Sequence, residues 1–219
     1  MRAMVLAATA SLDRNPAPLT LVRLPRPEPG PGEILIEVSV CGVCHTELDE
    51  IEGRTAPPRL PVIPGHEIIG RVVENGPGCS RYQPGQRVGV GWIHSSTGAQ
   101  DENLSTEFRA TGRDADGGYA EFVVVPERYA YPIPDEFSDA EAAPLLCAGA
   151  VGFRSLRLAG IKDRQILGLT GFGGSGHLVL QLAKYLYPNG QVFVFARSEH
   201  ERRFALEPVS YTHLRAHET

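Results

Sequence analysis

The sequence predicts an α/β protein: a small β-barrel-like first domain, then the opening of a parallel βαβ unit. Three observations give that class. Short apolar runs bounded by Gly or Pro recur from Glu33 to Val125. A Gly-rich turn, Gly171 to Gly176, follows one apolar run and opens a segment of helical period. A further apolar run, Gln191 to Phe195, comes after that segment.

The elements follow in order. Pro29-Gly30-Pro31-Gly32 is a turn signal. Glu33 to Val40 then alternates, with Ile34, Ile36, Val38 and Val40 on one face and Glu33, Glu37 and Ser39 among those on the other. Ile68 to Glu74, Arg87 to Val90 and Tyr119 to Val125 read as further strands, and such regular spacing suggests a small barrel. Val151 to Ile161 reads as a helix. Ile166 to Thr170 is apolar in the manner of a strand covered on both faces. Leu178, Leu182 and Leu186 mark a helix that closes near Pro188-Asn189-Gly190, ahead of the strand Gln191 to Phe195. Ser198 and Glu201 fit a capping box. Strand, Gly-rich turn, helix and strand make the start of a βαβ unit. The expected domains are 1–150 and 151–207, and no internal repeat is visible.

Composition narrows the function classes. Hydrophobic residues make up 42% and charged residues 21%, which suits a folded globular chain. The net charge is −5 and no basic run occurs, so a nucleic-acid or anionic-membrane partner is not expected. No apolar stretch reaches the length of a membrane span, and Met1 to Ala10 lacks the pattern of a secretory signal. The four cysteines, Cys41, Cys44, Cys79 and Cys147, are too scattered for a disulfide framework. A reducing cytoplasm is the expected compartment, where cysteines more often serve metals or chemistry.

Three short segments each offer a zinc ligand: Cys41-Gly42-Val43-Cys44-His45-Thr46-Glu47, Gly65-His66-Glu67 and Leu145-Leu146-Cys147-Ala148-Gly149. Each alone is weak, since a lone Cys in an apolar run is usually a small buried hydrophobe. Two thiolates and one imidazole together leave the fourth zinc position open, which is the catalytic arrangement. Cys41 to His45 also has the C-x-x-C-H spacing of c-type haem attachment. The preceding alternating strand, the lack of an export signal and the placement of the only methionines at Met1 and Met4 argue against haem.

Gly171-Phe172-Gly173-Gly174-Ser175-Gly176 matches G-x-G-x-x-G in the strand-to-helix setting that gives the motif meaning. Its glycines permit a tight turn and close approach of backbone N–H groups to a pyrophosphate. Where an acidic residue would meet the ribose of NAD, the chain has Ala196 and then Arg197. That leaves two cofactors open: NADP, whose 2′-phosphate an Arg can pair, or NAD with Arg197 merely solvated.

The metal segments, together with Asp116-Gly117-Gly118-Tyr119-Ala120-Glu121, make the chain resemble the zinc-dependent alcohol dehydrogenases of the medium-chain dehydrogenase/reductase superfamily. The resemblance runs from the N-terminus to about Glu207. It implies a GroES-like catalytic domain followed by a Rossmann domain with a doubly wound parallel sheet. It implies that Cys44, His66 and Cys147 hold catalytic zinc, that Thr46 takes the alcohol proton, and that Glu67 sits beside the metal. Glu47 falls where the family orients the ligand His, and His45 where it places a basic residue on the cofactor pyrophosphate. Trp92 and Ile93 are expected to line the pocket of a small alcohol or aldehyde, and the intact protein to be a homo-oligomer.

The sequence also departs from the family pattern. Ser95 to Ser105 contains no cysteine, where common members hold a second, structural zinc, so a single zinc is expected. Asp49 stands where many members have the His that ends a proton relay, and Val151 where a Thr often contacts nicotinamide. Pro208 to Thr219 has no helical or strand period and resembles a translated sequencing-adaptor read-through. Residues 208–219 are therefore expected to be a non-native tail on a truncated Rossmann domain, and the chain as written to be inactive. Two alternatives stand beside the dehydrogenase: a zinc-free quinone reductase-like enzyme, and a zinc-binding fragment without turnover.

Overall fold

Strand β1 (Arg2–Leu6) pairs antiparallel with β2 (Leu19–Arg23), neither of them expected from the sequence. The computed structural model describes residues 1–206, so Glu207 and the expected tail at 208–219 lie outside the described residues. By contacts the chain divides into two compact units, the first Met1–Cys147 and the second beginning at Ala148.

The alternating run becomes β3 (Glu33–Cys41), the centre of the first unit. It pairs with β4 (Ile68–Asn75), which in turn pairs with β5 (Arg87–Val90). Helix α1 (His45–Ile51) lies between β3 and β4 in sequence. The short β6 (Ile93–Ser95) and β7 (Arg109–Ala110) form a separate pair. β8 (Phe122–Pro126) joins the other side of β3, and β9 (Ala130–Pro132) joins β5. The antiparallel order is therefore β8-β3-β4-β5-β9, an open sheet with β8 and β9 at its edges. Ile34, Ile36, Ile68, Val72, Val88 and Val90 form its inner face and are buried.

The strand expected from Tyr119 starts three residues later, at Phe122. Gly117 and Gly118 donate to the carbonyls of Ile63 and Gly65, and Tyr119 to that of Pro64, which bends this stretch toward the segment before β4. Ala120 makes only an isolated bridge to Ala3.

Helix α2 (Asp139–Ala142) is opened by Ser138, whose hydroxyl accepts from the N–H of Glu141. A 3₁₀ turn, Ala143–Leu146, continues it. Ala142 and Ala143 pack on Ile69, with Leu146 beside them, and this anchors the turn that delivers Cys147.

In the second unit α3 (Ala148–Ala159) begins earlier than the helix expected from Val151. β10 (Ile166–Thr170) and β11 (Gln191–Phe195) pair in parallel on either side of α4 (Gly174–Leu186). α5 (Glu199–Leu206) follows, and Ser198 and Glu201 exchange capping hydrogen bonds as their spacing predicts. Leu156, Phe172, Val179, Leu180, Val192 and Val194 form a separate core. Among the described residues no helix is long and apolar enough to cross a membrane.

Candidate metal centre and dinucleotide turn

The metal-site residues arrive from three places in the first unit. β3 ends at Cys41, and the chain turns through Gly42 and Val43 to Cys44, just before α1. The Cys44 N–H donates to Glu47 Oε2 at 2.7 Å, closing the first turn of α1 with a side chain where a backbone partner is lacking. The other oxygen of Glu47 lies 2.6 Å from His66 Nδ1, and both side chains are almost wholly buried. Glu47 thus fixes the helix start and the ring of His66 at once.

His66 and Glu67 come from the segment entering β4, and the Gly42 N–H donates to the Glu67 carbonyl at 2.9 Å. A Cβ at position 42 would lie 2.0 Å from Glu67 Oε2, so only glycine leaves room for that carboxylate. Cys147 closes the site, with its Sγ 3.8 Å from that of Cys44. One donor atom from each of Cys44, His66, Glu67 and Cys147 falls within 4.8 Å of the others. No other group of metal-competent side chains occurs among the described residues.

The donor chemistry fits zinc. His66 Nε2 is buried without a hydrogen-bond partner while Nδ1 faces Glu47. An orphaned nitrogen opposite a carboxylate-held one is the usual state of a metal-binding imidazole. The thiols are biased the same way. Cys44 is lowered to about 3, first by the hydrogen bond from the Cys147 thiol and then by His66. The same bond, with burial, pushes Cys147 up. Burial works against a charged His66, yet Cys44 and Glu47 outweigh it and raise the ring to about 10. Burial, then the Cys44 charge, raises Glu67. These groups therefore hold a thiolate beside an imidazolium and a thiol, whose protons a divalent cation would displace.

The remaining expected residues fall around this centre in different ways. Thr46 Oγ1 is 3.5 Å from Cys44 Sγ, within reach of the same cluster. The Trp92 ring meets His66 edge-on at 5.1 Å between centroids, and Phe108 continues that wall at 6.1 Å from Trp92. Ile93 is half-buried on β6, opposite Ala110. His45 points into solvent, with its Nε2 4.0 Å from Asp49. Cys41 lies outside the ligand cluster, and burial pushes its thiol up to about 12.

Two residues of this region were missed in the sequence. Phe108 carries no motif. Glu50 is buried with Oε1 unpartnered, and burial, then the Glu47 charge, raises it to about 8. Its spacing of three from Glu47 would have flagged it had α1 been recognised as a helix.

In the second unit Gly171, at φ +79°, turns the chain out of β10, and its N–H donates to Phe195 O at 2.7 Å. A Cβ at Gly176 would meet Gly171 O at 2.9 Å, so this position keeps the turn tight. Nothing would crowd a Cβ at Gly173, and Gly171 and Gly173 are exposed, which leaves the backbone open to a phosphate. At the end of β11 Ala196 is buried and Arg197 exposed.

Residues 30–135 match the model of the alcohol dehydrogenase GroES-like domain. A probable alcohol dehydrogenase AdhA of Mycobacterium tuberculosis is 41% identical over 207 residues, covering 90% of this chain and 59% of that protein. The chain belongs to the alcohol dehydrogenases of the medium-chain dehydrogenase/reductase superfamily. The family likeness extends to solved structures. A cobalt- and zinc-bound thermostable alcohol dehydrogenase from Pyrobaculum aerophilum superposes with a TM-score of 0.85 at 27% identity, over 99% of this chain and 65% of that one. A zinc-binding dehydrogenase from Sinorhizobium meliloti bound to NADP gives 0.83 at 29% identity, over 99% and 61%. The chain spans 59% of the length of the M. tuberculosis relative.

Proposed function

We propose that the protein is a zinc-dependent oxidoreductase that moves hydride between a small alcohol or aldehyde and NAD or NADP. The carrying observation is the buried cluster of Cys44, His66 and Cys147, with the free His66 Nε2 turned away from Glu47. Zinc, when bound, supplies a Lewis acid that lowers the pKa of an alcohol. The nicotinamide supplies the hydride acceptor.

The chain's own residues do the rest. Cys44, His66 and Cys147 hold one metal ion. Glu47 keeps His66 in the tautomer that leaves Nε2 free. Thr46 Oγ1 accepts the hydrogen bond of the alcohol hydroxyl and passes its own proton outward to water as it takes that of the alcohol. Glu67, its carboxyl raised by burial and then by the Cys44 charge, lies beside the ligands. Trp92, with Ile93 beside it, walls the pocket and excludes water. Gly171, Gly173 and Gly176 receive the pyrophosphate, and Arg197 pairs the 2′-phosphate of NADP. The domains of this reading are 1–150 for metal and substrate and 151–207 for the cofactor.

A second reading, metal binding without turnover by the 219-residue chain, is favoured by β10, where Ile166, Gly168 and Thr170 are exposed. Metal content and alcohol-dependent NAD(P)H formation of the purified chain separate the two. Zinc with turnover supports the first reading, and zinc without turnover the second. Failure to retain zinc overturns both.

A further inference from the structure

Beyond Phe108 the first unit has an open cavity of about 710 Å³, lined by Pro58, Arg59, Thr106, Glu107, Phe108, Arg109 and Asp114. Its inner end is aromatic and connects to the metal centre through ring contacts. Trp92 touches His66 at one edge, and Phe108 touches Trp92 while lining the cavity. Its outer part is charged, and the charges are not equally free. The Asp114 carboxylate is consumed by the Ala110 N–H at 2.8 Å and by Arg113 at 3.2 Å. Arg59 reaches the Asp114 carbonyl at 3.5 Å and Asp116 at 3.6 Å, a loose and exposed arrangement. Arg109 makes no ion pair among the described residues, and its side chain is exposed. Against these two guanidiniums the rim offers one free carboxylate, Glu107.

We propose that this cavity is the distal substrate subsite and that the preferred substrate is an alcohol or aldehyde with an apolar middle and an anionic tail. The proposal rests on the metal-centre reading above and names the substrate class of that site. The reacting group would lie at the Cys44, His66 and Cys147 cluster. The apolar part would run along Trp92 and Phe108, and a carboxylate or phosphate would end at Arg109 and Arg59. A guanidinium offers such an anion two parallel N–H donors, which an uncharged chain end cannot use. The open mouth leaves water around the pair, so its contribution is that of a partly solvated ion pair.

Calorimetric titration of the zinc-loaded protein tests this without requiring turnover. Two pairs of probes are matched in body and differ in tail: 4-carboxybenzyl alcohol against benzyl alcohol, and 6-hydroxyhexanoate against 1-hexanol. We expect at least one carboxylated probe to bind about tenfold more tightly than its neutral partner. We expect Arg109→Gln to remove that preference, Glu107→Gln to increase it, and neither change to affect the neutral probes. Equal affinity within both pairs, a preference that survives Arg109→Gln, or tighter binding of 6-amino-1-hexanol than of 1-hexanol would overturn the proposal. Selective binding without alcohol-dependent cofactor reduction would leave the subsite standing and sink the dehydrogenase reading instead.

Discussion

The two units bury their strands differently. In the first, β3 has Ile34, Leu35 and Ile36 at 0% exposure in succession, so both faces of the sheet are covered there. In the second, β10 alternates, with Ile166 67% exposed and only Leu167 and Leu169 turned into the core. A strand lined on both sides has its backbone held by neighbours in every direction, whereas a half-covered one depends on its paired strand and one helix layer. Catalytic geometry needs the first kind of support, because donor atoms must stay within a few tenths of an ångström of their places. The metal cluster lies wholly inside the better-covered unit.

The largest effect should come from the ligands. Cys44→Ser or His66→Ala should reduce retained zinc from about one equivalent to near none, because sites left with two protein ligands hold zinc poorly. Elemental analysis after dialysis reads this directly. Glu47→Gln should be milder, weakening zinc on the order of 10–100-fold, since only the carboxylate behind the ligand is altered. A competition titration with a chromogenic chelator would show it. Retention of full affinity would mean that His66 does not depend on Glu47.

Packing should separate the units next. Ile36→Ala should cost about 2–5 kcal/mol in chemical denaturation, as for a fully buried large-to-small change. Ile166→Ala should fall within about 0.5 kcal/mol, because its side chain already meets solvent. Equal losses would erase the contrast between the strands.

The last effect concerns pH. Glu50 is raised to about 8 by burial and by the Glu47 charge, with His66 and Arg113 opposing the rise and Asp114 adding to it. A raised carboxyl keeps its proton in the folded chain after the unfolded chain has lost it. Its contribution to stability is therefore fully present below the unfolded value near 4.5 and declines as pH rises toward 8. Glu50→Gln should leave the melting temperature unchanged at low pH and raise it by several degrees at pH above 8. A variant whose melting curve tracks the wild type at every pH would remove Glu50 from the buried titrating groups.

Much of this was legible in the sequence where period and punctuation agree. The run from Glu33 shows its strand because alternation holds at every position but Leu35, and Ile166–Thr170, Gln191–Phe195 and the Ser198 cap were placed as found. The strands at Arg2–Leu6 and Leu19–Arg23 were not, because their apolar and polar residues lack a period that separates them from loop. Helix α1 was hidden for another reason. His45 to Ile51 is short and carries charged and β-branched residues, and its start is capped by a cysteine, whose N–H meets Glu47, where Ser, Thr, Asp or Asn would have signalled it. The ligands could be named from their segments, but the orphaned His66 Nε2 and the Trp92–Phe108 wall exist only once distant segments meet.

X-ray absorption at the zinc edge of the purified protein tests the metal assignment most directly. One zinc per chain should show two sulfur neighbours near ~2.3 Å and the remaining nitrogen or oxygen neighbours near ~2.0–2.1 Å. Cys147→Ser should remove one of the two sulfurs. A shell of four sulfurs, or one with nitrogen and oxygen alone, would contradict the assignment to Cys44, His66 and Cys147.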